Sequence, residues 1–248
     1  MVPPSGDVAV VIPARNESDR IAATVRAAAG LPGVDIVIVV DDGSTDGTAA
    51  AAQDAGASVM RHARNRGKAA AMETGAESVR LLEDNERRDR PRHLLFLDAD
   101  LAETAAGAAP LAEPVREGRA DMTIAVFSTR VKQGGHGFVV GLSGSGIMRA
   151  TGWRPAQPLN GQRCLTRGAF EAARPLAPGF GVETGLTIDL LRQGMRITEV
   201  EVPLAHRATG GDWRSQVHRA RQLVDVGRAL AVRWPALRHP PTERGAAT

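Results

Sequence analysis

His93-Leu94-Leu95-Phe96-Leu97-Asp98-Ala99-Asp100 is the stretch from which the rest of this chain can be read. An apolar run of strand length that ends in two carboxylates one residue apart reads as a buried strand reaching the edge of its sheet. In open α/β sheets that edge is the crevice where ligands bind. Two carboxylates there suit a hard divalent cation such as Mg²⁺ or Mn²⁺, which prefers oxygen ligands and commonly bridges protein carboxylates to phosphates. The same triplet also makes an ordinary turn or helix N-cap, so it needs support from elsewhere in the chain.

Working upstream, Val8 to Ile12 and Ile36 to Val40 are β-branched runs of buried-strand length. The first is followed by the polar break Pro13 to Glu17 and a helical stretch near Asp19 to Ala29. The second is followed by Asp41-Asp42-Gly43-Ser44-Thr45-Asp46 and an Ala-rich helix to about Ala55. A short strand at Ser58 to Met60, a helix from about Gly67 to Leu82 and a charged loop from Glu83 to Arg92 lead back to the opening stretch. This is the βαβ rhythm of a mostly parallel sheet flanked by helices. Downstream the pattern predicts a helix around Thr104 to Glu117, a strand at Asp121 to Val126, and a mobile glycine-rich loop from Gln133 to Gly146. Strands near Gln162 to Thr166 and Arg196 to Val202, a helix near Val182 to Arg192 and a long helix from about Trp213 to Trp234 complete it. No composition break marks a linker. The expectation is one domain, with residues 7–126 as a ligand-binding half, 127–234 as a second half and 235–248 as a frayed tail.

Composition narrows the function classes. A chain of 248 residues with 43% hydrophobic residues can bury a substantial core. A single cysteine, Cys164, excludes an intramolecular disulfide, and the N-terminal stretch lacks the pattern of a signal peptide, which reads as cytoplasmic. No stretch approaches the roughly 18 apolar residues of a membrane span, so any membrane contact is peripheral. With no Tyr and only 3% aromatic residues, a base-stacking nucleic-acid platform is disfavoured.

Four segments, VVIPARNES at 10–18, VVDDGSTDGT at 39–48, NRGKAAAMETG at 65–75 and LFLDAD at 95–100, together resemble GT-A-fold nucleotide-sugar glycosyltransferases of the large family 2 kind. The resemblance implies a Rossmann-like α/β fold, a UDP-sugar donor, most simply UDP-glucose, and a divalent metal, Mg²⁺ or Mn²⁺. It implies that Pro13, Ala14, Arg15 and Glu17 meet the base and ribose, and that Asp41 or Asp42 accepts from a base imide N–H or a ribose hydroxyl, with Ser44 beside them. Asp42 to Asp46 also suits an Asx turn in which Ser44 or Thr45 caps the next helix. Lys68 would neutralise the diphosphate. Standing at a helix start, where its charge opposes the dipole, it makes most sense with an anion nearby. Asp98 and Ala99 would face the nucleotide or donor sugar, whereas Asp100 would bind metal.

In the second half, PLNGQRCLTRGAF at 158–170, APGFGVETGLTIDLL at 177–191 and His206-Arg207 are similar to the glucosyl-3-phosphoglycerate synthase group, whose members transfer sugars with retention of configuration. By that match His206 is a further metal ligand, and Gly161, Gln162 and Glu183 hold the donor sugar. A general-base role for Glu183, as in inverting enzymes, stays open. Asp100, Glu183 and Lys68 are thus the expected catalytic set. The run containing Ser143, Gly144 and Ser145 could hold an acceptor phosphate with successive backbone N–H groups. Gly137-Phe138-Val139-Val140-Gly141 departs from the group's own acceptor motif there, Gly-Arg followed by Val-Thr-Glu. The acceptor therefore stays open between a small molecule and a lipid phosphate, and homodimer formation is equally open. On the last helix Trp213, Val217, Ala220 and Val224 are expected to form the packed face, and Arg214, His218, Arg221 and Arg228 a solvated or anion-facing stripe. His62, His93, His136 and His239 show no partner pattern. The alternatives are a nucleotidyltransferase of related architecture, which would need a Gly-rich loop where Pro13 to Glu17 stands, and a non-catalytic nucleotide-sugar-binding scaffold.

Overall fold

The computed structural model describes residues 7–127, 137–204 and 213–233, with side chains of the last segment described from residue 222. Seven strands form one sheet in the order β3-β2-β1-β4-β6-β5-β7. They are β1 (Val8–Ala14), β2 (Val34–Asp41), β3 (Ser58–Arg61), β4 (His93–Phe96), β5 (Met122–Phe127), β6 (Arg163–Leu165) and β7 (Ile197–Val202). β6 alone runs against its neighbours, pairing antiparallel with both β4 and β5.

The helices are α1 (Ile21–Ala29), α2 (Thr48–Asp54), α3 (Lys68–Glu86), α4 (Ala109–Arg116), α5 (Gly137–Thr151), α6 (Arg167–Ala172), α7 (Val182–Arg192) and α8 (Trp213–Arg233). The period-2 geometry of β1 explains the layering. Val8, Val10 and Ile12 point into one core with α1, whereas Ala9 and Val11 point into another with α3 and α7. Burial on both faces is why this strand reads as an unbroken apolar run. A third, smaller cluster joins α5, α7 and α8 through Val139, Ile147, Ile188, Val226 and Leu230.

Strand order reverses between β1 and β4, since β2 and β3 lie to one side and β6, β5 and β7 to the other. A crevice opens at the carboxyl ends of strands at such a switch point, and here it lies between the end of β1 and the residues after β4.

The structure corrects several expectations. The glycine-rich stretch is helical from Gly137 onward; residues 128–136 lie outside the described residues. Its glycines spread round a helix that packs closely on α8 and α7, a tertiary choice that glycine propensity alone opposes. The helix expected at Thr104 to Glu117 is split into a 3₁₀ turn at Ala102–Ala108 and α4, where Pro110 lies in the first turn and Pro114 inside the helix. α3 extends to Glu86, and the short α6 was unforeseen. The packed face of α8 is Val226, Ala229 and Leu230, whereas Val224 is exposed. The side chains of Trp213, Arg214, Val217, His218, Ala220 and Arg221, together with the tail, lie outside the described residues.

Candidate functional site

A cleft of about 330 Å³ opens at the switch point, walled by Pro13, Arg15 and Glu17 on one bank and by Leu159, Phe180, Glu183 and Gln222 on the other. Lys68, Asp98, Ala99 and Asp100 form its floor.

The backbone of the Asp98-Ala99-Asp100 turn is gripped from α1 and the residue before it. The Thr24 hydroxyl donates to the Ala99 carbonyl (2.8 Å) and accepts from the Ala102 N–H (2.8 Å), while Arg20 Nη1 donates to the Asp100 carbonyl (3.1 Å). The turn is therefore fixed before any ligand arrives.

At the head of α3 the Lys68 ammonium donates to Asp98 Oδ1 (2.8 Å) and lies 2.9 Å from Glu183 Oε1. A cation at a helix N-terminus opposes the macrodipole, and the protein supplies two carboxylates against it. Burial disfavours the charged ammonium, but Asp98 and Glu183 outweigh that and hold the Lys68 pKa well above the usual lysine range. The second oxygen of Asp98 accepts from Gln162 Nε2 (2.7 Å), so the expected sugar-side residues Gln162 and Glu183 are both tied to the floor. Gly161 makes this possible. A Cβ there would collide with Lys68 Nζ and lie 2.9 Å from Asp98 Oδ1. Glu183 sits in the first turn of α7, where the helix dipole favours a carboxylate.

The opposite bank is stitched from neighbouring loops. Asn16, in the left-handed region at φ 56°, donates its N–H to Ser44 Oγ (2.9 Å) and accepts from the Thr45 N–H (2.9 Å). Asparagine tolerates that conformation better than most residues. Glu17 N–H donates to Thr48 Oγ1 (2.8 Å). Asp41 Oδ1 accepts from the Ser44 N–H (2.8 Å), so the turn is closed by Asp41 and not from within Asp42 to Asp46 as expected, and Asp46, not Ser44 or Thr45, accepts the Thr48 N–H at the start of α2. Asp41 Oδ2 is buried with no hydrogen-bond partner among the described residues, its neighbour being Arg61 Nε at 3.3 Å. Ala14 is buried, with its carbonyl accepting the Asp42 N–H (2.8 Å).

Asp42 is enclosed by His62 Nδ1 (2.7 Å), the Arg66 N–H (2.7 Å) and the Gly67 N–H (2.7 Å). Burial works against its charge, yet these donors prevail and hold the carboxyl below the ordinary aspartate range. His62, whose Nε2 also meets Thr74 Oγ1 at 3.0 Å, is a site residue that sequence patterning missed. Its pairing spans loops and leaves no local signature.

The other bank depends on distant fasteners. Phe180 N–H donates to Asp225 Oδ2 (3.1 Å) from α8, and a Cβ on Gly179 would collide with that carboxylate. Phe180, Leu159, Gln222 and Asp225 were not singled out beforehand. Ser143 and Gly144 are buried inside α5, where Ser143 Oγ meets Thr184 Oγ1 at 2.7 Å, and Ser145 is exposed. Interior helix N–H groups are spent on helix hydrogen bonds, so successive backbone donors from 143 to 145 cannot cradle a phosphate as expected. His206 lies outside the described residues.

The family model of glycosyl transferase family 2 matches residues 9–140. The chain is 30% identical to glucosyl-3-phosphoglycerate synthase of Mycolicibacterium paratuberculosis, over 89% of this chain and 68% of that one. It is 28% identical to glycosyltransferase AglJ of Haloferax volcanii, over 85% of this chain and 67% of that one. The crystal structure of glucosyl-3-phosphoglycerate synthase from Mycobacterium tuberculosis with Mn²⁺, UDP and phosphoglyceric acid matches with a TM-score of 0.72 at 25% identity, covering 95% of this chain and 80% of that one. The same enzyme with Mn²⁺, UDP-glucose and phosphoglyceric acid matches with a TM-score of 0.68 at 26% identity, covering 95% and 81%. The GT-A architecture expected from the sequence is the architecture observed.

Proposed function

The chain belongs to glycosyl transferase family 2 and is a UDP-sugar glycosyltransferase, and from that premise we propose that it moves glucose from UDP-glucose to an acceptor hydroxyl with the help of Mg²⁺ or Mn²⁺. In that reaction the bond from the anomeric carbon to the β-phosphate oxygen breaks. The acceptor oxygen takes its place and passes its proton to the departing β-phosphate oxygen, and UDP leaves carrying that proton.

The observation that carries the reading is the Lys68 ammonium held between Asp98 and Glu183 on the floor of the cleft. Without a ligand those carboxylates consume its charge. An incoming diphosphate competes for the ammonium, which frees Glu183 and Asp98 to accept from sugar hydroxyls. Once released, Glu183 stands with Asp98 and Gln162 where sugar hydroxyls would be held, the role that goes with the retaining reading. Asp41 Oδ2, paired with Arg61 Nε at 3.3 Å but without a hydrogen bond of its own, would be the acceptor for a base imide N–H, the donor that uracil presents. Pro13, Arg15 and Glu17 on the same bank then flank the base and ribose.

The donor set also fits a divalent metal. Glu17, Asp98, Asp100 and Glu183 outnumber Arg15 and Lys68 in the cleft, and a diphosphate adds further negative charge. Mg²⁺ is commonly bound through one or two carboxylates plus substrate phosphates, a role open to Asp100 and Asp98 in this cleft. Asp100, with His206, would hold the ion. When bound, the ion offsets the charge of the departing diphosphate.

Calorimetric titration with UDP, UDP-glucose, GDP-glucose and CDP-glucose, in Mn²⁺ and then in EDTA, tests the donor half. The expected result is metal-dependent binding of UDP and UDP-glucose alone. Asp100→Ala should abolish the metal dependence without lowering the melting temperature. Binding of none of the nucleotides would remove the proposal. Turnover assays with phosphoglycerate and with a polyprenyl phosphate then separate the two acceptor classes.

A further inference from the structure

Arg163 is 1% exposed, yet among the described residues no carboxylate accepts a hydrogen bond from its guanidinium. Nε donates to the Asn160 carbonyl (2.8 Å), and Nη2 donates to the Pro158 carbonyl (3.1 Å). Nη1 donates to the Glu183 carbonyl (3.1 Å) and to Thr187 Oγ1 (2.9 Å), with Met122 Sδ at 3.9 Å. Burial lowers its pKa to about 10, so the group stays charged at neutral pH.

A buried cation whose direct hydrogen bonds go to neutral acceptors, with the Glu183 and Glu199 charges acting only through space, is costly compared with an apolar side chain of similar size. What that cation fastens together explains its presence. Pro158 and Asn160 belong to the strap that presents Gly161 and Gln162 to Asp98. Glu183 and Thr187 belong to the first turns of α7, which present the Glu183 carboxylate to Lys68. One planar fork therefore sets the spacing between the two arms that close on the Lys68–Asp98 pair. Its rigid five-donor geometry suits the task in a way that the point charge of a lysine does not.

We infer that Arg163 is a positioning residue of the donor-sugar pocket: by tying the 158–162 strap to the head of α7 it sets Gln162 and Glu183 for the sugar and leaves nucleotide binding to the opposite bank. The inference rests on the UDP-sugar reading above. Thr187 is its accessory, because its hydroxyl accepts from Arg163 and donates to the Glu183 carbonyl (2.8 Å).

The test compares UDP with UDP-glucose binding, in Mn²⁺, for the wild type, Arg163→Lys and Thr187→Val, with melting temperatures measured alongside. Arg163→Lys keeps the charge and loses the fork. UDP affinity should stay within about threefold of wild type, while the preference for UDP-glucose over UDP and kcat should each fall about tenfold or more. Thr187→Val should move the same quantities in the same direction by a smaller factor, and it supplies the answer if Arg163→Lys does not fold. An unchanged preference for UDP-glucose in a folded variant, or a parallel loss of UDP and UDP-glucose binding, overturns the inference. A wild type that binds neither ligand overturns the functional reading itself, and this inference with it.

Discussion

Asp42, behind one bank of the cleft, and Glu183, on the other, are both buried carboxylates, but they are held in opposite ways. Asp42 is enclosed by two backbone N–H groups and His62, all from the segment between β3 and α3. Glu183 is engaged by the ammonium of Lys68, a mobile-stemmed cation that an anionic ligand competes for. The first arrangement is complete without a ligand, whereas the second awaits exchange. Under the proposed function, the bank backed by Asp42 would serve the nucleotide as a fixed template, and the bank carrying Glu183 would serve the sugar as a set of arms whose ion pairs give way to the ligand. Substitutions on the two banks should separate accordingly.

The largest effect is expected at the point where the banks meet. Lys68→Ala leaves Asp98 and Glu183 facing each other with no cation between them and removes the charge that a diphosphate would meet. A loss of kcat/KM on the order of 10³-fold follows if the ammonium acts on developing phosphate charge. Circular dichroism should show an intact fold, because Asp98 keeps Gln162 and Glu183 keeps its helix dipole. Residual activity within about tenfold of wild type would place the electrostatic work elsewhere.

On the template bank the expected damage is to stability. Asp42→Asn puts an amide where three donors converge, so at least one of them loses its hydrogen bond to residue 42, costing about 1–3 kcal/mol, less where Gly67 N–H falls back on Asn65 Oδ1 (3.0 Å). The pH dependence has a definite sign. The folded pKa of Asp42 lies below the ordinary 3.8, so its stabilisation is fully present above that value and is lost as pH falls through the lower, folded one. Melting temperatures of the wild type and Asp42→Asn should therefore differ at neutral pH and converge in acid. A gap that persists at the lowest pH at which both remain folded would mean that the carboxylate charge is not what holds these loops.

A middle-sized effect is expected from the arm carrying Phe180. Asp225→Ala removes the acceptor of the Phe180 N–H and the carboxylate against which Gly179 lies. The turn that leads into Glu183 loses its anchor, which should raise KM for UDP-glucose about tenfold, equivalent to one lost charge-assisted hydrogen bond. Asp225→Asn keeps an acceptor oxygen and should recover most of the loss. Equal effects of the two variants would show that charge, and not the hydrogen bond, is at work.

The same contrast decides what could be read from sequence. Template-bank residues stand within a few positions of strand ends, so the runs Val8 to Ile12, Ile36 to Val40 and His93 to Leu97 located Pro13, Asp41 and Asp98 directly. The sugar bank was legible only where a motif is contiguous, as with Gly161, Gln162 and Glu183. Its fasteners are not contiguous. Arg163 reads as one more polar residue in a strand, and its partners at Glu183 and Thr187 lie 20 and 24 positions away. Asp225 lies 45 positions from the N–H it accepts. His62 was set aside for lack of a local partner, although the fold supplies Asp42 from 20 positions upstream. The glycines of α5 misled for a different reason. Glycine weakens an isolated helix, but it also lets a packed one approach its neighbours closely, and Gly146 lies directly against Leu230 of α8.

Helix α5 also yields the smallest effect and the cleanest control, because Ser143 and Ser145 sit two residues apart on different faces. Ser143 is buried, and its hydroxyl is paired with Thr184, the residue after Glu183. Ser143→Ala leaves the Thr184 hydroxyl without that partner and should destabilise the protein by about 1 kcal/mol. Ser145 is exposed, and Ser145→Ala should change stability by less than about 0.5 kcal/mol. Urea unfolding measures both. If the helix itself bound an acceptor phosphate through these hydroxyls, the exposed Ser145 would carry the effect, seen as a raised acceptor KM with unchanged stability. A buried Ser143 that matters only to stability instead assigns α5 to the scaffold behind Glu183, on the bank whose arms are placed from a distance.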